Sequence, residues 1–170
     1  MKKGFHYALA AALLSVSMAF IACDPEPGPD PKDVIENDGT YYTFVYKNNP
    51  VTPLDTVVYS LSQADVTDDF TTISFVYNNL TNGALNTTQK VEILQGNTDL
   101  AKDEYICGGG SCPWNKEPFS LAPGLNNDMP LTIDIHPSEI GSTNTALFRL
   151  TVGEAPKFSH ATIIYLRVNK

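Results

Sequence analysis

Between Pro130 and Val168 apolar residues recur at every second position in three successive runs, and no other feature of the chain constrains its fold as strongly. Leu131, Ile133 and Ile135 alternate with Thr132, Asp134 and His136. Phe148, Leu150 and Val152 alternate with Arg149 and Thr151, and Ile164, Leu166 and Val168 run beside Arg167. Successive side chains of a β-strand point to opposite faces, so each run buries one face and wets the other. The same reading places strands at 41–47, 57–61, 71–77 and 90–95, with shorter pieces at 104–107 and 119–121.

Turn-forming clusters separate these runs: Asn48-Asn49-Pro50, Asn78-Asn79, Asn82-Gly83, Gly96-Asn97, Pro123-Gly124 and Asn126-Asn127-Asp128. No stretch sustains a helical apolar period, and residues 62–69 offer one helical turn at most. The expected architecture is all-β, an antiparallel two-sheet sandwich of immunoglobulin-like type with seven to nine strands. A closed barrel is the competing all-β solution.

The amino end reads differently. Met1-Lys2-Lys3 is positive, an apolar run follows from Ala8 to Ala22, and Phe20-Ile21-Ala22-Cys23 ends it as a bacterial lipobox. The run is too short and too abruptly ended for a spanning helix. Residues 1–22 are therefore expected to be a removed signal peptide, with Cys23 as the acylated first residue of the mature chain. Prolines at 25, 27, 29 and 31 exclude helix and strand, and six acids lie between Asp24 and Asp38. Residues 23–39 thus read as an extended acidic tether and 40–170 as the sandwich. The whole chain carries a net charge of −8, and loss of Lys2 and Lys3 makes the mature form more acidic still. Such a surface repels phosphate backbones, so no nucleic-acid partner is expected.

Cys107 and Cys112 remain as an even pair in an oxidising compartment, spaced by Gly-Gly-Gly-Ser, and read as a disulfide closing a tight loop. Neither a redox Cys-x-x-Cys nor two further zinc ligands accompany them. Trp114, the single tryptophan, follows immediately. It has two readings: a stacking platform for a ligand, above all a sugar, or a ring folded over the cysteine loop to cap the core. Tyr41, Tyr42 and Tyr46 offer further rings, with cross-strand packing as their ordinary role.

The run Cys107–Cys112, then Pro118-Phe-Ser-Leu-Ala-Pro-Gly124, Leu131–Pro137, Gly141-Ser142, Ala146–Val152 and Ala161–Val168 resembles the small immunoglobulin-like domains common in outer-membrane lipoproteins and secreted proteins of Bacteroidetes. The resemblance covers roughly residues 103–170 and implies a non-catalytic module without a shared active site. Two further features resemble that group. Asp24 and Glu26, directly after Cys23, imply export to the cell surface, with the periplasmic face as the alternative. Asp55-Thr56-Val57 resembles an O-glycosylation sequence, which would place a sugar on Thr56, although the same threonine also reads as an ordinary strand start. The sequons at Asn79 and Asn86 carry no weight in a bacterial lipoprotein.

Little else in the chain signals chemistry. His136 shares a strand face with Asp134, which reads as a solvated pair before it reads as a base or metal site. His160 has no evident partner, and Gly110-Ser111-Cys112 lacks the closing glycine of a nucleophile elbow. Asp65-Val-Thr-Asp-Asp69 lacks the spaced ligands of a calcium loop. The reading is a lipid-anchored envelope lipoprotein, a binding or structural and adhesion module, with no catalytic residue, metal or cofactor expected. The alternative is a glycan-binding accessory of a nutrient-uptake system, with Trp114 as its platform. Its partners would be the membrane, through the acyl chains on Cys23, and an envelope protein or glycan.

Overall fold

The computed structural model describes residues 39–102, 105–110 and 118–170. The signal region, Cys23, the acidic tether to residue 38, Glu104, Cys112 and Trp114 lie outside the described residues. The described chain forms ten strands and one short helix. In chain order these are β1 (Tyr42–Tyr46), β2 (Asn49–Val51), β3 (Thr56–Ser60), α1 (Gln63–Thr67), β4 (Thr71–Asn79), β5 (Leu85–Gln95), β6 (Ile106–Cys107), β7 (Phe119–Leu121), β8 (Gly124–Ile135), β9 (Thr145–Glu154) and β10 (Ser159–Asn169). Short 3-10 turns follow β5 and β8.

Two five-stranded sheets face each other, in the orders β2-β1-β4-β8-β6 and β3-β10-β9-β5-β7. The alternating runs supply the core. Leu131, Ile133 and Ile135 of β8 are buried, as are Phe148, Leu150 and Val152 of β9 and Ile164, Leu166 and Val168 of β10. Tyr42, Phe44, Ile73, Phe75 and Tyr77 complete the inner face of the first sheet. Each such large side chain contributes about 1.5–3 kcal/mol relative to leaving it in water. Thr162 Oγ1 on β10 donates to the Tyr42 carbonyl at 2.6 Å, a buried polar tie between the sheets.

Several expectations need correction. Ten strands replace the seven to nine expected, the added one being β2, which begins at Asn49 inside a segment read as a turn. The sandwich is mixed, because β3 runs parallel to β10 with Thr56 opposite Tyr165. Asn78-Asn79 and Asn126-Asn127-Asp128 are strand, not turn. Asn79 and Asn126 turn inward and use their amides in place of missing backbone partners. Asn79 Nδ2 donates to the carbonyls of Gly83 at 2.8 Å and Leu121 at 3.1 Å, and Asn126 both donates to and accepts from Ala122 at 3.0 Å. β5 starts at Leu85, ahead of the expected Lys90, because its inward Thr87 and Gln89 are polar and hid the alternation. Thr151, assigned to the wet face, is 1% exposed between its register partners Lys90 and Ile163. The single helical turn forms as expected. Ser62 Oγ accepts from Asp65 N at 3.2 Å while Asp65 Oδ2 accepts from Ser62 N at 2.7 Å, a capping box.

Candidate functional site

A concavity lies where β1 stops short. Lys47 and Asn48 have φ of 49° and 65°, the paired left-handed values of a tight hairpin turn, so β1 reverses into β2 after five residues. β4 is longer. It pairs with β1 only over Val76–Asn79, while Thr71–Phe75 pair with β8 on one side and with no described strand on the other. Against this step sits a cavity of about 530 Å³, a ligand-sized volume.

Residues from four strands line it. The β1–β2 tip contributes Val45, Tyr46, Lys47 and Asn48; β3 contributes Tyr59; β4 contributes Thr72, Ser74 and Val76. Leu125 and Asn127 of β8 form the remaining wall, beside the irregular stretch where the β4–β8 register shifts. The Lys47 ammonium lies 5.2 Å from the Tyr46 ring centre and 5.8 Å from that of Tyr59, held against both ring faces. Tyr46 in turn packs on Phe75 at 5.3 Å. Two rings and one lysine stem thus cover the core along the length that β1 leaves uncovered. Among the described residues Lys47 forms no ion pair; the three pairs present are Lys90–Glu92, Lys102–Glu139 and Arg149–Glu92.

Most residues weighed for chemistry in the sequence have structural contacts. Asp134 accepts from Thr72 Oγ1 at 2.5 Å, and the His136 ring lies 4.0 Å from that of Tyr105 and 5.6 Å from that of Phe70. The pair read on one strand face therefore divides between different partners. In the acidic turn, hydrogen bonds from Thr71 and Ser62 hold the Asp65 carboxyl below its ordinary 3.8. Burial pushes Glu92 upward, but bonds and charge from Lys90 and Arg149 outweigh it and leave the group below 4.5. Among the described residues no three His, Cys, Asp or Glu side chains converge as a metal site would require. Tyr41 stacks on His160 at 4.2 Å, Tyr42 is buried, and Tyr46 alone of the three reaches the cavity. Thr56 is exposed at the start of the edge strand β3, and Cys107 ends β6 half-buried. Lys47, Asn48, Tyr59 and Asn127 were not singled out in the sequence; the only local sign was the asparagine pair at 48–49 that forces the early hairpin.

The geometry defines an immunoglobulin-like β-sandwich with an open step on one sheet. No family model matches the chain, and no curated protein matches it. Solved structures that resemble it include the N-terminal domain of PorA (13% identity, 75% of this chain and 96% of that one, TM-score 0.47). Others are a FixG-related protein from Vibrio parahaemolyticus (16%, 58% and 76%, TM-score 0.37) and the CooA pilin subunit from enterotoxigenic Escherichia coli (9%, 76% and 97%, TM-score 0.34).

Proposed function

We propose that this chain is a lipoprotein of the outer membrane, displayed at the cell surface on acyl chains at Cys23, whose sandwich binds a partner without transforming it. The observation that carries the anchor is the lipobox Phe20-Ile21-Ala22-Cys23 behind a positive, apolar leader. No helix of the described residues is long and apolar enough to cross a membrane. The binding reading is supported by the cavity wall, which offers rings, amides, hydroxyls and one ammonium. The groups with displaced pKa values serve structural bonds elsewhere.

A disulfide between Cys107 and Cys112 belongs to the same proposal. It is supported by their spacing and by the expected oxidising compartment. The alternative, a glycan-binding accessory, gains from the Tyr46 and Tyr59 rings beside Asn48 and Asn127, a composition that also suits sugars. Trp114→Ala would cost that reading its platform.

The anchor is tested with Cys23→Ser. The variant is expected to leave the membrane fraction, and mass spectrometry of the native amino terminus should show acyl chains on Cys23. A variant that still sediments with membranes after a salt wash overturns the anchor.

A further inference from the structure

We infer that the outer face of the second sheet is a docking site for this chain's own acidic tether, whose residues 32–38 cross it over β10 and β9. On that face Tyr165 of β10 lies opposite Thr56 of β3 and Arg149 of β9, and Arg167 lies opposite Val58 and Leu147. The alternate residues Phe148, Leu150, Ile164 and Leu166 fill the core, so this set points away from it. Leu54 and Val58 stand exposed at its β3 side, and the Tyr165 and Leu147 side chains between the arginines are half-buried. The face thus presents apolar surface and cations together, with no described element over it.

Its charge is opposite to that of the chain as a whole, which is −8. The chain holds two arginines, Arg149 and Arg167, and both stand here on adjacent strands, with Lys90 two strands from Arg167 on β5. Against these three cations the face sets Glu92 alone among the described residues. Glu92 pairs with Arg149 at 2.6 Å and Lys90 at 2.9 Å, and Arg167 pairs with no carboxylate among the described residues. Of the bordering acids, Glu154 acts on Tyr42 inside the sandwich, and Asp55 stands at the corner before β3. The cluster therefore keeps an excess of positive charge.

The occupant follows from where the tether ends. Gly39 lies against Pro53, so close that a Cβ on it would overlap that ring. Pro53 leads into Leu54, whose N–H donates to the Ile163 carbonyl of β10 at 2.7 Å. The tether therefore arrives at a corner of this face. The stretch just before Gly39, Lys32-Asp-Val-Ile-Glu-Asn-Asp38, extends about 22 Å, against about 14 Å across the sheet from β3 to β5. It lacks the prolines of the preceding residues, holds Asp33, Glu36 and Asp38 against Lys32, and sets Val34-Ile35 between two of those acids. That order, apolar between carboxylates, complements Tyr165 and Leu147 between Arg149 and Arg167. Covalent connection gives the segment an effective concentration of about a millimolar, which a dissolved competitor has to exceed. Docking takes up tether length and draws the sandwich toward Cys23, and salt screens the exposed charges and releases it.

The test is nuclear magnetic resonance on the full mature chain in detergent. Overhauser contacts are expected from the Val34 or Ile35 methyls to the Tyr165 ring, fading in about 1 M salt. Arg167→Glu, which breaks no ion pair among the described residues, should weaken them about fivefold. Adding Asp33→Lys and Glu36→Lys to that variant should restore them, which a purely structural role for Arg167 would not produce. Contacts to the first sheet instead, contacts to no part of the sandwich, or an intensity indifferent to Arg167→Glu overturns the proposal. So do contacts seen only between differently labelled chains in a mixed sample, which would put a second copy's tether on the face.

Discussion

The Tyr77 hydroxyl on β4 donates to Gln89 Oε1 on β5, a buried side-chain hydrogen bond between the two sheets. Burial drives the Tyr77 phenol well above its ordinary 10.0, and Gln89 Nε2 finds no partner among the described residues. Gln89 is thus held by one bond, and its surroundings have no slack.

Tyr77→Phe should therefore be costly. It leaves Gln89 Oε1 buried without a donor, at about 1–3 kcal/mol. Replacing both partners, Tyr77→Phe with Gln89→Leu, should recover much of that loss, because no polar group is then stranded. Chemical denaturation of the two singles and the double measures it. A neutral Tyr77→Phe would mean the bond contributes nothing.

Gly108 backs onto the same amide. A Cβ there would collide with the Gln89 amide, Nε2 and Oε1 alike, whereas one on Gly83 meets nothing within 4 Å. The amide cannot swing aside without surrendering Tyr77. Gly108→Ala should cost about 1–3 kcal/mol, and Gly83→Ala should change stability by about half a kcal/mol or less. Thermal melts of the pair settle the comparison, and equal melting temperatures would refute it.

The acid limb of stability should involve Asp65. Hydrogen bonds from Thr71 and Ser62 lower its folded pKa below 3.8, so it favours the folded state above that value. The contribution disappears as pH falls through the depressed folded value. The difference in melting temperature between wild type and Thr71→Val should be largest above about pH 5 and close towards about pH 2. A difference independent of pH would show that Thr71 acts by packing alone.

Cys112→Ser should cost about 1–2 kcal/mol under oxidising conditions, as expected for opening so small a ring. Thiol titration of the native protein should find neither sulfur of Cys107 and Cys112 free. Two reactive thiols would remove the disulfide from the account.

The sequence disclosed the layers and most inward faces, because Leu131, Ile133, Ile135 and their counterparts on β9 and β10 obey a local period of two. It concealed the places where a polar residue turns inward and is satisfied across the sandwich. Gln89 meets Tyr77, Thr87 Oγ1 reaches the Tyr42 hydroxyl at 3.5 Å, and Asn79 and Asn126 bond to backbone carbonyls. To a local reading these residues look like turns or strand ends. The cavity was hidden for a different reason. Its walls come from β1, β3, β4 and β8, and it exists because two of those strands differ in length. No short window of sequence contains that difference.

The position of β10 has a consequence for how the molecule is made. This last strand lies between β9 and β3, with Tyr165–Asn169 paired along β3 from Thr56 to Ser60. A ribosome delivers β3 about a hundred residues before its neighbour β10. Until then β3 has no place in a ladder, and a nascent domain must wait with one sheet unclosed. Such distant pairing slows folding. Loss of Tyr165–Asn169 would leave β3 with no ladder partner at all.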